Sequence, residues 1–299
     1  MTVINTNISS IQAQTAMRAT RASTEKAMER LSTGLKINHA GDDAAGLAIS
    51  SRMTAQIKGL NMAVKNAQDG ISLTQTAEGA LGEVQNMLQR MRELSLQAAS
   101  DTNSGDDRAY LQTELKALST EIDRVAATTT FNNLKLFSGS DFGSFSGSGT
   151  PTAPSTVTLK IQVGSNTGAS DAVEITLQET SAADLGIKVT AVGGTNASGE
   201  LQFDTGAHAL DAVQAVDAAL KNVTNLRSSF GAIQNRLEHT VSNLTNIATN
   251  TELARSRIED ADYAQETSNM TRGQILQQAG TAMLAQANKM SQGVMSLLQ

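Results

Sequence analysis

Apolar residues alternate at spacings of three and four along much of the chain, the heptad pattern of helices that pack through a narrow apolar row. We call each such row a seam. The longest lies in a pattern that predicts a single helix over about residues 43–100. Its members are Leu73, Ala77, Ala80, Val84, Met87, Met91, Leu94 and Ala98. At about 1.5 Å per residue, this helix is far longer than those of ordinary globular domains.

Three further seams follow along the chain. The second comes after the segment DTNSGDD, in which Gly105 suits a turn and Asp106 and Asp107 suit a helix start. It consists of Leu111, Leu115, Leu118, Ile122 and Val125. The third is interrupted by two polar residues, Arg227 and Gln234, and otherwise consists of Val216, Leu220, Val223, Phe230, Leu237, Val241 and Leu244. The fourth consists of Leu276, Gly280, Met283, Ala287, Met290, Val294 and Leu297.

The middle of the chain has a different character. Between about residues 138 and 206 it is rich in Gly, Ser and Thr, with short alternating runs. The runs TVTLKIQV from Thr156 and AVEITLQ from Ala172 flank a turn-rich segment and predict a β-hairpin. We therefore expect a mainly α fold: a long helical hairpin rod with a terminal coiled coil, a helical bundle and a small β-rich insertion.

Charge and composition exclude several classes of function. The net charge of −6 and the scattered positive residues give no basic patch for nucleic acid. The sequence has no apolar run of the roughly 20 residues that a membrane span needs, and its first residues do not resemble a signal peptide. The lack of cysteine fits a chain exported unfolded, and it fits a cytoplasmic protein equally well.

Candidate catalytic and metal-binding chemistry is weak throughout. His39, His208 and His239 lie far apart in sequence, without an HExxH pair or a GxSxG motif. DTNSGDDRAYLQ begins like a calcium loop, but its glycine comes one position early and Gln112 replaces the closing glutamate. The acidic run IEDAD, from Ile258, fits a helix face or subunit contact. We expect no enzyme activity, no cofactor and no metal.

The two chain ends indicate self-association. Five larger apolar residues of the fourth seam would contribute roughly 8 to 15 kcal/mol if fully buried. Ordering each residue there costs about 1 to 2 kcal/mol. We therefore expect ends that are disordered in the monomer and helical in an assembly, whereas the two middle seams fit an ordinary intramolecular bundle. The expected polymerisation seam consists of Ile4, Ile8, Ile11, Leu276, Met283, Met290, Val294 and Leu297.

Three long motifs carry a resemblance to a known family. LSTGLKINHAGDDAAGLAIS from Leu31, SRIEDADYAQE from Ser256 and QILQQAGTAMLAQAN from Gln274 together resemble bacterial flagellin, the subunit of the flagellar filament. The resemblance implies an inner coiled-coil layer (1–42 and 255–299), a helical bundle with a β-hairpin (43–140 and 205–254) and a short variable outer region (141–204). The segment FNNLKLFSG, from Phe131, resembles the hairpin of the family's bundle, and the resemblance suggests it as a candidate for contributing to the switch between two filament packings.

The resemblance also implies a function and partners. A flagellin is secreted unfolded through the flagellar type III system and polymerises at the filament tip outside the cell, for swimming motility. The implied partners are further copies of the chain, a cap protein, a hook-filament junction protein and an export chaperone that binds within Thr251–Gln299. Two alternatives stay open: a flagellar junction or adaptor protein with similar terminal helices, and an enzyme carried on a flagellin-like scaffold.

One local match points to recognition by a host receptor. LQRMRELSLQ, from Leu88, resembles the segment that Toll-like receptor 5 recognises on many flagellins. Helical spacing places part of this segment on one face. The residues implied in receptor contact are Gln89, Arg90, Glu93, Leu94, Gln97 and, on the next helix, Glu114.

Overall fold

The structure is a computed structural model that describes residues 7–137, 156–164, 168, 171–189 and 201–296, without the side chains of residues 290–296. Within these ranges the chain forms five α-helices and two small antiparallel sheets, which confirms the mainly α class with a small β-rich part. The elements are α1 (Ile8–Thr33), α2 (Ala44–Ala98), α3 (Gly105–Thr128), β1 (Thr130–Phe131), β2 (Leu134–Lys135), β3 (Thr156–Gln162), β4 (Ala172–Gln178), α4 (Gly206–Glu259) and α5 (Tyr263–Ser296).

The chain divides into two compact units. The terminal unit comprises Met1–Lys58 with Ala248–Gln299, and the central unit comprises Gly59–Ile247. The three-layer division implied by the family resemblance stays a prediction.

Helix α2 confirms the prediction of a single long helix. It also buries a further row of residues beside the predicted seam. The predicted seam is buried or half-buried from Leu73 to Ala98. Beside it lies another fully buried row, consisting of Thr74, Leu81, Leu88 and Ser95. The two hydroxyl groups fit this apolar setting because each donates to a carbonyl of its own helix, Thr74 to Gly70 O at 3.1 Å and Ser95 to Met91 O at 2.8 Å.

Helix α3 begins where the sequence indicated. Ser104 caps its first turn and exchanges hydrogen bonds with Asp107 in a capping box. Arg108 Nε donates to Ala98 O at 3.0 Å, so the last turn of α2 is also capped from α3. Gln112, which stood at the closing position of the calcium-like sequence, is buried, and its side-chain oxygen accepts from Phe203 N at 3.3 Å. This glutamine therefore has a structural role.

The strands form two hairpins. Strands β3 and β4 pair antiparallel from Thr156↔Gln178 to Gln162↔Ala172, as predicted. Strands β1 and β2 are joined by Asn132 and Asn133, whose φ angles of 50° and 63° are the left-handed pair that a two-residue hairpin turn needs. Asparagine tolerates this region better than most residues do.

Candidate functional site

The terminal unit contains an antiparallel pair of helices, α1 and α5. At one end of the pair, Asn7 Nδ2 donates to Ala287 O at 3.2 Å. At the other, the Tyr263 hydroxyl donates to Leu31 O at 3.2 Å. The contact thus extends along the described length of α1.

Small side chains bring these two helices close together. On α1 the buried and half-buried face consists of Ser10, Ala13, Met17, Thr20, Thr24 and Ala27. The facing row of α5 includes Gly273 and Gly280. A Cβ added at Gly273 would lie 2.1 Å from Thr24 Oγ1, so the helices touch at a distance that a side chain there would prevent. The inner face therefore buries little large apolar surface.

One ion pair lies within this interface. Arg30 Nη1 is 2.8 Å from Glu266 Oε1, and the two side chains are only 21% and 10% exposed. Asn269 Nδ2 donates to the other carboxylate oxygen at 3.3 Å. Because the Glu266 carboxylate is held by two donors from two helices, it fixes how α1 and α5 align.

Backbone hydrogen bonds connect the loop after α1 to the short segment between α4 and α5. Lys36 N donates to Glu259 O at 2.6 Å, and Ala261 N donates to Gly34 O at 2.9 Å. Gly34 has a φ of 73°, which ends α1 in the left-handed conformation that glycine adopts without strain. These bonds lie in two of the motifs that carry the family resemblance, LSTGLKINHAGDDAAGLAIS and SRIEDADYAQE.

Asp42 organises the same loop. Its carboxylate accepts from the Lys26 ammonium and from the backbone N–H groups of His39 and Asn38. The Lys26 hydrogen bond, followed by the His39 one, lowers the pKa of Asp42 to about 2. The carboxylate is therefore ionised throughout the physiological range.

The outer face of the helix pair carries the large apolar residues. Ile8 is 51% exposed and Ile11 53% on α1, while Leu276 is 51% and Met283 64% exposed on α5. These four residues belong to the expected polymerisation seam. Ile4 and Leu297 lie outside the described residues, as do the side chains of Met290 and Val294.

The fourth predicted seam combines residues of two faces. Gly280 approaches α1, because a Cβ added there would lie 2.8 Å from Met17 Cγ. Leu276 and Met283 instead lie in solvent. Leu276 and Met283 are thus exposed among the described residues, and the prediction was wrong to place them in one row with Gly280. The smallest residues of that row are the ones that allow the helices to approach.

A second candidate site lies on the central unit, around Arg90 on α2. Its guanidinium donates from Nε at 3.0 Å and from Nη2 at 2.8 Å to Glu114 Oε1, and from Nη1 at 3.1 Å to Glu93 Oε2. The Glu114 hydrogen bond, followed by the Glu93 one, raises the pKa of Arg90. Gln89 and Gln97 are exposed beside this network.

Leu94 requires a correction. The spacing of three and four suggested that it shares one face with Arg90 and Glu93, yet its side chain is fully buried, at 0% exposure, whereas theirs are exposed. It lies instead in the predicted seam of α2.

Within the described ranges, no three His, Asp or Glu side chains are grouped so that they could hold a metal ion. No described helix has the length and apolar character to cross a membrane.

Comparison of the sequence with protein-family models identifies the family of this chain. Residues 4–141 match the family model described as the bacterial flagellin N-terminal helical region. Residues 213–298 match the bacterial flagellin C-terminal helical region. The chain belongs to the bacterial flagellin family.

Two flagellins match this chain over nearly its whole length, and a solved flagellin structure matches about two thirds of it. A flagellin of Halalkalibacterium halodurans is 44% identical over 99% of this chain and 100% of its own. The flagellin of Bacillus subtilis is 42% identical over 99% of both chains. A crystal structure of Bacillus cereus flagellin is 30% identical and covers 64% of this chain and 94% of its own, with a TM-score of 0.44.

Membership of this family establishes the general function. Flagellins are structural proteins that form the flagellar filament outside the bacterial cell. The chain is accordingly a filament subunit and not an enzyme. The flagellin resemblance found in the sequence motifs is thereby confirmed.

Proposed function

We propose that this flagellin polymerises through the outer face of its terminal helices, whose large apolar side chains are covered by neighbouring copies. The exposure of Ile8, Ile11, Leu276 and Met283, each above 50%, carries the proposal. Covering the exposed half of each would contribute about 1 kcal/mol per side chain. The inner face of each helix already contacts its partner helix, so a neighbouring copy is the partner that we propose for the outer face.

Substitution of the outer face tests this proposal. Leu276→Ser with Met283→Ser removes two apolar contacts without touching the inner face, so the variant should fold and fail to elongate filaments. A matched control, Gln278→Ser with Gln286→Ser, changes two exposed polar residues of the same helix. Electron microscopy after seeding would show filaments for the control only. Normal elongation by the first variant contradicts the proposal.

The same proposal predicts weak protection of the chain ends in a lone molecule. Hydrogen exchange in dilute monomer should be fast near Ile8 and Met290, and it should slow on polymerisation. The expectation rests on the narrow inner face, which stabilises the outermost turns of these helices little without neighbours. Strong protection of both segments in the monomer would mean that the terminal helices are stable alone.

We further propose export as an unfolded chain with a chaperone bound within Thr251–Gln299, followed by assembly with the cap and the hook-filament junction protein. The chain has no cysteine that could cross-link during such a passage. The exposed apolar residues of α5 would need covering before assembly. Calorimetric titration of the flagellar export chaperone into the full chain should show binding, and removal of residues 251–299 should abolish it. Equal binding by the shortened chain refutes this assignment.

Recognition by Toll-like receptor 5 is proposed for the Arg90 network. Arg90, Glu93 and Glu114 form a charged surface to which two helices contribute. Arg90→Ala with Glu114→Ala should weaken receptor signalling in reporter cells. The matched control is Arg124→Ala with Glu121→Ala, since these residues form another exposed Arg–Glu pair. Equal signalling by the two variants rules out the assignment.

A further inference from the structure

The apolar seams of α2 and α4 do not by themselves define how these helices align. In the central unit, the inward row of α2 alternates at three and four without interruption through Leu60, Ala63, Ala67, Gly70, Thr74, Ala77, Leu81, Val84, Leu88, Met91, Ser95 and Ala98. The row of α4 begins in the same way with Ala209, Ala212, Val216, Ala219 and Val223, and continues at intervals of seven with Phe230, Leu237 and Leu244. A slip of seven residues, about 10 Å, again places apolar rows together.

Four polar side chains, which we call the polar quartet, lie along these rows: Glu78 and Gln85 flank the row of α2, and Arg227 and Gln234 occupy gaps in the row of α4. Both pairs are seven residues apart. Arg227 Nη1 donates to Gln85 Oε1, and Nη2 lies 3.4 Å from Glu78 Oε1. Gln234 Nε2 donates to Glu78 Oε2 at 3.2 Å. In the antiparallel pair, Glu78 therefore lies opposite Gln234, and Gln85 lies opposite Arg227.

A slip of one heptad in either direction disrupts the polar quartet. In one direction, Glu78 comes directly opposite Arg227, but each glutamine is left opposite an aliphatic residue, Leu220 or Ile71. An amide without a partner in such a setting is costly. The gain in one ion pair is then offset by two unsatisfied side chains.

The opposite slip is worse electrostatically. It places Glu78 opposite Val241 and brings Arg227 level with Arg92. Arg92 Nε natively lies 2.7 Å from Asp217 Oδ1, so the slip separates this pair too. Two arginines opposite each other repel, and the carboxylate has no partner.

We propose that the polar quartet is a register lock, which selects the native alignment of α2 against α4 from alternatives one heptad away that the spacing of the apolar rows also permits. Selecting alignment this way lowers stability, as polar residues at seam positions of coiled coils do. Arg227 fits that description, because its buried Nε contacts no acceptor among the described residues. The lock acts within one molecule and does not depend on the proposed assembly surface.

Distances between two spin labels test this proposal on the full-length chain. The chain has no native cysteine, so Lys65→Cys and Lys221→Cys give two exposed labels, one on each helix. The parent chain should show one distance. Gln85→Met with Gln234→Met retains the Glu78–Arg227 pair, whose direct alignment requires the first slip. This variant should show a further distance, shorter by about 10 Å because the labels approach by seven residues.

A quadruple variant and a matched control complete the test. Replacement of all four quartet residues by Met should produce at least one further distance while the melting temperature holds or rises. The control, Glu83→Met with Arg236→Met, removes one charge of each sign at exposed positions and should keep the parent distance. If the quadruple variant loses its helical signal, the double variant alone tests the proposal. It can do so because it keeps the Glu78–Arg227 charge pair. The parent distance alone, or only a longer one, in the double variant overturns the proposal.

Discussion

A methyl group at Gly273 tests whether the terminal helices are held together by their smallest residues. In Gly273→Ala the new Cβ would lie 2.1 Å from Thr24 Oγ1 and 3.3 Å from Thr24 Cβ. Thr24 is buried, and its hydroxyl donates to Thr20 O at 2.8 Å. Rotation of the threonine would lose this hydrogen bond and leave its Cβ close to the new methyl group. The helices must therefore separate or Thr24 must move.

The sign of the effect follows from three magnitudes. Alanine is favoured over glycine inside a helix by about 1 kcal/mol. Overpacking costs about 1 to 3 kcal/mol, and the lost hydrogen bond costs about 1 kcal/mol more. We expect Gly273→Ala to reduce the local unfolding free energy by about 1 to 3 kcal/mol. Gly280→Ala should be neutral or stabilising by up to about 1 kcal/mol, because its methyl group meets only the flexible side chain of Met17.

Hydrogen exchange of the amides around Thr24 and Gly273 measures this local free energy directly. The decisive comparison is between the two glycine variants, since both add the same methyl group to the same helix. Thr24→Ala should largely rescue Gly273→Ala by removing the hydroxyl that the new methyl group meets. If Gly273→Ala gains as much protection as Gly280→Ala, the reasoning about close approach is wrong.

Three further predictions concern individual contacts. Arg30→Met leaves the buried Glu266 carboxylate without its charged partner and should destabilise the terminal helix pair by about 1 to 3 kcal/mol. Amide exchange rates in α1 and α5 measure this loss of stability, and adding Glu266→Gln should recover part of it. Because folding lowers the pKa of Asp42, the ionised carboxylate stabilises the folded protein relative to Asp42→Asn. This stabilisation should be complete above about pH 4 and disappear towards about pH 2. Melting curves of both proteins across that range measure it. Asn133→Ala should weaken the β1–β2 hairpin by about 1 kcal/mol whereas Asn133→Gly should not; a comparison of amide exchange in the two variants tests this.

The sequence was most informative where a period persists over many residues. The helix predicted over 43–100 forms as Ala44–Ala98, and the alternating runs after Thr156 and Ala172 form the β3–β4 hairpin. The two-residue strands β1 and β2 are too short for a period. They were expected only because FNNLKLFSG resembles the family hairpin.

Burial was harder to predict where it depends on neighbouring elements. Thr74 and Ser95 are polar in sequence, yet α2 buries both because their hydroxyls bond within the helix. Leu94 appeared to share a face with Arg90, since spacings of three and four describe two adjacent rows of a helix equally well. Only the packing partners determine which row is inside.

The two units also differ in where large residues lie, and this difference separates stability from assembly. In the central unit, large residues such as Leu88 and Phe230 fill the core. In the terminal unit, small residues form the contact and residues such as Met283 lie outside. A change at Gly273 should therefore reduce protection in the monomer, whereas a change at Met283 should reduce elongation and leave monomer protection unchanged. If both changes altered both measurements alike, the inner and outer faces would not have separate roles.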